Sequence, residues 1–417
     1  MKRRLLSILM TLVLVCALPI WAAFVTSGDV TNPLVCTAGA SELNLKGMIE
    51  QANAGDTITL NSNTEIAATL QITKNLTLDL NGCVLRMRGT GSVLKVSGRA
   101  TLTITDSSAA KSGTITGGNA EDGGGVYVEA HATLEMTGGC ITGCRAEDGG
   151  GVYIDNNATL KMTGGCITDC HASYGGGGIY SYENLYMGGT AKIEKCTSKW
   201  GSDDAIWNRE RCNIYADGGT VDGTVNNQGT IRRSEGAAAE TVFNGTVYNR
   251  SAGTIIAGIY NETVENNGTI TGGTFWGTVT NKKSAWGNEA GTISGGTFAV
   301  RFDTGDGTKP EPTPVEHNRT VLRPTSDPEK SGHTFVGWYL GDALYDFNTP
   351  VTAPLTLTAK WEKVPSSGGY YYYQPTTDTK TTDTKGSPKT ADPGVALYAA
   401  LSILSLTGMV ALNGKKR

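Results

Sequence analysis

Two acidic dipeptides, Glu121-Asp122 and Glu147-Asp148, stand 26 residues apart, and each is followed by Gly-Gly-Gly-Val. Paired carboxylates are the groups that general acid–base chemistry or cation binding needs. If the spacing sets one pair above the other, like charges about 5 Å apart repel by about 1 kcal/mol in water, and a bound cation could hold them together. The third copy reads Ser173-Tyr174 before its glycines, so solvated turn residues are the other reading. Beside the acids, Tyr127 and Tyr153 alternate with Val126, Val128, Val152 and Ile154, and Tyr180 follows after one inserted glycine. With the aliphatic residues turned inward, Tyr127, Tyr153 and Tyr180 point out as candidate ligand-binding residues, with Tyr182 and Tyr186 nearby. Exposed rings can stack on sugars or anchor a protein partner; equally, cross-strand tyrosines can simply stabilise a sheet face.

Other reactive side chains gather less. Asp203, Asp204, Arg209, Glu210 and Arg211 share one segment without a spacing that makes them converge, and His131 and His171 occupy different repeat positions. The two histidines are read as surface residues, and no catalytic residue is assigned. Cys140/Cys166 and Cys144/Cys170/Cys196 recur in register and are read as buried thiols acting as small apolar groups. A disulfide between adjacent copies is within reach, yet a parallel register turns both side chains the same way, which suits its geometry poorly. The Cys-x3-Cys spacing has no recurring histidine beside it, so no metal is assigned and no cofactor is called for.

The elements that position these groups follow from the period. Ile115, Ile141, Ile167 and Ile193 fall 26 residues apart, the mark of a stacked architecture. Each row holds three short alternating runs separated by Gly-rich turns that no helix would tolerate. Three strands per row make one coil, and stacking pairs each strand with its copy about 4.8 Å away. The fold expected is all-β: a parallel β-helix, right-handed by the chirality of parallel crossovers. Gly-Thr-aliphatic units recur as far as Phe298, with TGGTF and SGGTF lying 23 residues apart, so roughly ten coils form a rod on the order of 50 Å long. Gly at 56 of 417 residues fits many tight turns, and 35 basic against 39 acidic residues leave a net charge of -4. With no basic stripe among aromatics, nucleic acid is discounted as a partner.

Read from the N-terminus, residues 1–23 carry Lys2, Arg3 and Arg4, an apolar run and Trp21-Ala22-Ala23, the form of a secretory signal peptide. Residues 24–60 contain Leu45, Met48, Ile49 and Ala52 at helical spacing, then AGDTI. This resembles the N-terminal cap of pectin-lyase-like β-helix proteins, and by that resemblance the helix covers the open end of the rod at residues 61–299. Residues 300–363 hold GHTFVGWY at Gly332 to Tyr339 and a closing AKW. They resemble the internalin-type B repeat, or Listeria-Bacteroides repeat, which implies a small β-grasp-like module of bacterial surface proteins. Asp303 and Asp306 lack the order of a calcium loop and read as turn residues. A polar linker, 364–386, has too little apolar content to fold.

Residues 387–417 combine Ser-Pro-Lys-Thr-Ala, an apolar run at 395–412 and a basic tail. Eighteen helical residues span about 27 Å, enough for a transmembrane helix. The order resembles the sortase (LPxTG-like) sorting signal of Gram-positive bacteria. That resemblance implies that Pro388 shapes the substrate, Thr390 supplies the carbonyl attacked, and Ala391 begins the fragment released, with Ser387 and Ala391 replacing the usual Leu and Gly. The implied partners are a sortase and the cell-wall peptidoglycan, besides the membrane itself. The expectation is an exported protein at the cell surface, wall- or membrane-anchored. One reading of its function is a non-catalytic adhesin or a module binding an extracellular glycan or a surface protein. The other is a surface-displayed carbohydrate-active enzyme, a polysaccharide lyase or glycoside hydrolase; a rod that only spaces other groups from the wall is a third.

Overall fold

Aliphatic–polar alternation is carried out strand by strand. In Val126–Val128, Thr133–Met136 and Cys140–Thr142 the inward residues Val126, Val128, Leu134, Met136 and Ile141 are fully buried, and the residues between them are part-exposed. The computed structural model describes residues 34–35, 42–199, 204–283, 290–308 and 310–364. Residues 1–23, 365–386 and 387–417, with Pro388, Thr390, Ala391 and the expected span at 395–412, lie outside the described residues. Among the described residues no helix is long and apolar enough to cross a membrane.

The described residues are nearly all β, with long parallel sheets and, among them, one helix, Glu42–Gln51, an arrangement consistent with a parallel β-helix. Ten parallel strands from Leu70–Ile72 to Val279–Asn281 form the first face. Second and third faces are fused into one 25-stranded sheet, because Asn184–Glu194 and Asn213–Asp222 run through the corner between them. Successive strands sit in register, with Tyr127 on Tyr153 and Ile141 on Ile167, apart from local shifts between Ala146 and Asp148, Gly189 and Lys192, and Asp204 and Ile206. Leu45 and Ile49 of the helix, and Ala52 just after it, are buried with the core.

Turn chemistry fixes two features of the sequence. Before the first face, the middle glycines Gly124, Gly150 and Gly177 press on a neighbouring coil; a Cβ would lie 2.3 Å from the Arg145 carbonyl oxygen, 2.5 Å from that of His171 and 2.2 Å from that of Thr197. No side chain fits there. After the first face, Arg99, His131 and Asn157 share one corner with φ of 64°, 67° and 59°, a left-handed conformation that Asn and His adopt more readily than most residues. His131 is exposed, as expected, and serves the turn.

The stacked cysteines divide by side. Cys144, Cys170 and Cys196 are buried thiols, but Cys140 and Cys166 are not: they face outward beside the buried Ile141 and Ile167 and form a disulfide, with Cα atoms 4.5 Å apart. Facing solvent, the two side chains are free to rotate toward each other, whereas those of the packed inner column are not. Because Cys140 points out and Cys144 in, the Cys-x3-Cys pair cannot share a metal.

Beyond Val221 the core changes character. Phe243, Tyr260, Phe275 and Phe298 stack with centroids 5.0, 4.9 and 5.5 Å apart. On the first face Asn208, Asn227, Asn249, Asn266 and Asn281 form a ladder, each amide nitrogen donating to the next carbonyl oxygen at 2.7–2.8 Å. The last strand of the third face, Thr297–Asp303, also belongs to the C-terminal module. It pairs antiparallel with Thr313–Glu316 and parallel with Leu355–Lys363, which in turn pairs antiparallel with His333–Leu340. Phe302, Phe335, Trp338 and Trp361 pack the module edge to face. Asp303 and Asp306 are turn residues: Asp303 accepts from the Gly305 amide at 2.9 Å and Asp306 from that of Thr308 at 2.8 Å.

Each internal rung of the amide ladder both donates and accepts, so removing one strands a buried group on either side. Asn249→Ala should therefore cost roughly 2–5 kcal/mol, the penalty for two unmade buried hydrogen bonds, measured by urea unfolding. A change below about 0.5 kcal/mol would show that the ladder is not a source of stability.

Candidate functional site

The outward positions of the first face stack in the order Gln71, Lys95, Tyr127, Tyr153, Tyr180, Trp207. The structure thus brings the three predicted tyrosines together and adds Trp207. That residue follows the buried Ile206 as Tyr180 follows Ile179, at the same 27-residue step, a signal the alternation already carried. Adjacent rings are stacked with centroids 5.4, 5.7 and 6.2 Å apart and planes within 24° of each other. Tyr180 departs from expectation: it points away from the core but is buried, covered by Tyr182 at 5.5 Å and by Arg209, whose Nη1 donates to its hydroxyl at 3.1 Å. Tyr186 lies on the second face, stacked on Tyr215 at 4.2 Å, and takes no part.

Carboxylates border the ring column. On one side Asp122 bridges in parallel to Asp148, as the period implies. On the other, Asp155 accepts from the Tyr127 hydroxyl at 3.1 Å, and Glu129 holds Lys95 at 3.1 Å with the ammonium 5.0 Å from the Tyr127 ring centre. Burial raises the Tyr127, Tyr153 and Tyr180 hydroxyl pKa values, with nearby carboxylates adding to it. The column is accordingly a row of neutral hydroxyl groups between acids.

The acids differ in what holds them. Asp148 accepts from the Gly175 amide at 3.2 Å and Asp204 from the Gly176 amide at 3.0 Å, so both pin the glycine turn. Burial raises the pKa of both, and these amide bonds oppose the rise. Among the described residues no group donates a hydrogen bond to the Asp122 carboxylate, and its pKa is pushed up to about 6 by burial first, then by Asp148, Glu121, Asp155 and Glu147. Of the remaining candidates, Asp203 lies outside the described residues, Arg209 joins Tyr180 and Tyr182, and Glu210 and Arg211 stay in a turn. His171 is half-buried rather than a free surface residue, its Nδ1 2.8 Å from the Thr197 hydroxyl. Among the described residues no cluster of three or more His, Cys, Asp or Glu is arranged to hold a metal ion.

The C-terminal module carries the clearest kinship. Residues 298–360 match the Listeria-Bacteroides repeat domain. The repeat domain thus begins inside the last strand of the rod. Two curated proteins of Evansella cellulosilytica also match. One, named "Putative Gly-rich membrane protein", is 36% identical over 69 residues, covering 16% of this chain and 8% of that protein. The other, named "Putative membrane protein", is 39% identical over 69 residues, covering 16% of this chain and 10% of its own length. The chain therefore spans a tenth or less of the curated relatives it matches.

Asp122 gives a pH dependence. Its folded pKa lies above the unfolded value, so between about pH 4 and pH 6 the native state binds more protons and loses stability as pH rises. Asp122→Asn should leave the melting temperature unchanged at pH 4 and raise it at pH 7.5. An equal shift at both pH values would mean that charge is not the cause.

Proposed function

We propose that the chain is an exported, surface-displayed rod that binds an extracellular glycan on its first face without cleaving it, in the shallow concavity that ends at Tyr127 and along the ring column beyond it, which together form the groove. The observation carrying this reading is the column of four aromatic residues bordered by Asp122, Asp148 and Asp155. It offers hydroxyl donors, carboxylate acceptors and apolar edges together, the mixture by which a concave site holds a sugar. In the same proposal the rod is a right-handed helix of the pectin-lyase-like kind, the repeat domain extends a surface module, and Pro388, Thr390 and Ala391 form a sortase signal ahead of a membrane span. Support for a surface role comes from the repeat-domain match and from the membrane-protein names of the two relatives. A protein ligand in the same groove is the adhesin form of this reading.

Asp122 favours a second reading. A carboxyl group with a pKa of about 6 beside another carboxylate is what a general acid of a glycoside hydrolase requires. Binding and cleavage separate the two. On an array of polysaccharides and mucin glycans, residues 24–386 should retain at least one glycan and leave its chain length unchanged. Shortened products, lost in Asp122→Asn, would replace the binding reading with the enzymatic one.

A further inference from the structure

Resting on the glycan-binding reading above, the structure also indicates where along the groove a sugar ring can sit. We propose that the groove takes a glycan end-on, holding one terminal pyranose residue that bears no acidic group against the outer face of Tyr127, rather than lengthwise along the rings.

A pyranose packs its C–H groups on the face of an aromatic ring, because the ring face is the electron-rich side. In this column the inner faces are already taken. Tyr153 lies between Tyr127 at 5.4 Å and Tyr180 at 5.7 Å, and Tyr180 lies between Tyr153 and Trp207 at 6.2 Å. The groove therefore meets only the edges and hydroxyls of these two rings. The Trp207 end is closed as well, because the Gly175 backbone packs on the indole so tightly that a Cβ there would sit 2.7 Å from Cε3.

Tyr127 is different because the next position in register is Lys95, not another ring. Its outer face borders a concavity of about 620 Å³, lined also by Gln71, Ser92, Lys95, Asn119 and Asp122. That volume lies within the range of small-ligand sites, roughly 300–1,000 Å³. The Gln71 amide and the Asp122 carboxylate have no hydrogen-bond partner among the described residues and can pair with ring hydroxyls. Lys95 lies over the ring but is anchored to Glu129 at 3.1 Å, and its long flexible stem lets the ammonium swing aside while keeping that partner. Glu129 also neutralises it. The uncompensated charge at the site is that of Glu121 and Asp122, which repels uronate and sulfated sugars and accepts neutral or amino sugars.

The test is calorimetric titration of the purified full-length chain in detergent with cellotetraose, a glucosamine tetramer and tetragalacturonate. The expected result is one site per chain, binding to at least one of the first two sugars and none to the third. Tyr127→Ala should weaken binding at least tenfold, at least five times the loss caused by Tyr180→Ala, while Tyr186→Ala on the second face changes it less than twofold. Tyr127→Phe keeps the ring and guards against misfolding as the cause of the loss; it should bind within threefold of the native chain. Equal losses for Tyr127→Ala and Tyr180→Ala, or a preference for tetragalacturonate, would overturn the end-on site and leave glycan binding standing. Failure to retain any glycan on the wider array would instead overturn the binding reading from which this inference starts.

Discussion

Parallel register is the constraint on which the rest depends. Backbone hydrogen bonds set each strand on its copy one coil away, so the nearest neighbour of nearly every side chain is the side chain at the same repeat position. What that closeness does depends on chemistry. Aliphatic columns such as Leu102, Leu134 and Leu160 gain burial on both sides. Amides make a ladder that satisfies buried polar atoms without water, rings stack, and two outward thiols bond. Opposite charges gain a little, as where Glu135 meets Lys161 at 3.1 Å on the surface. Like carboxylates lose, and Asp122 over Asp148 shows it.

The same constraint explains what was legible in the sequence. A period of 26 residues and alternation inside it were enough to place Val126, Tyr127 and Ile141 on their sides of the wall, because register makes one coil predict the next. Burial of Tyr180 was not legible, since it depends on Arg209 folding over it from 29 residues further on. The Cys140–Cys166 bond was missed for a related reason: parallel side-chain directions argue against a disulfide only when both rotamers are locked, and on the outer side they are not. His171 looked unpartnered because its contact, Thr197, is 26 residues away, at the same register position in the next coil.

Pattern fails differently at the C-terminal end of the rod. Thr297 and Phe298 repeat Thr274 and Phe275 in register and read as one more coil. Yet Val300 to Asp303 of that strand pair with Leu355 to Thr358 of the repeat domain. A β-helix that simply stopped would present an open strand edge, which invites pairing with other chains. Sharing one strand covers that edge on the third face and sets Val315 beside Phe298 in the core. A boundary drawn at residue 300 from composition therefore falls within a strand that serves both parts.

The acids of the groove show how structural and available groups can be told apart without knowing a ligand. Repeat position alone makes Asp122 and Asp148 equivalent, but hydrogen bonding does not. Asp148 and Asp204 accept from successive amides, Gly175 and Gly176, and so tie down a glycine turn that has no side chains to pack. For them burial with a high pKa is offset by a bond that the fold needs. Asp122, half-buried like Asp148, bears the added repulsion of four acids with no such bond. A group kept in that state lowers stability at neutral pH and supplies nothing to the turn. On the glycan-binding reading proposed above, its carboxylate is free to meet a ligand beside the face of Tyr127, whereas those of Asp148 and Asp204 are committed to the turn.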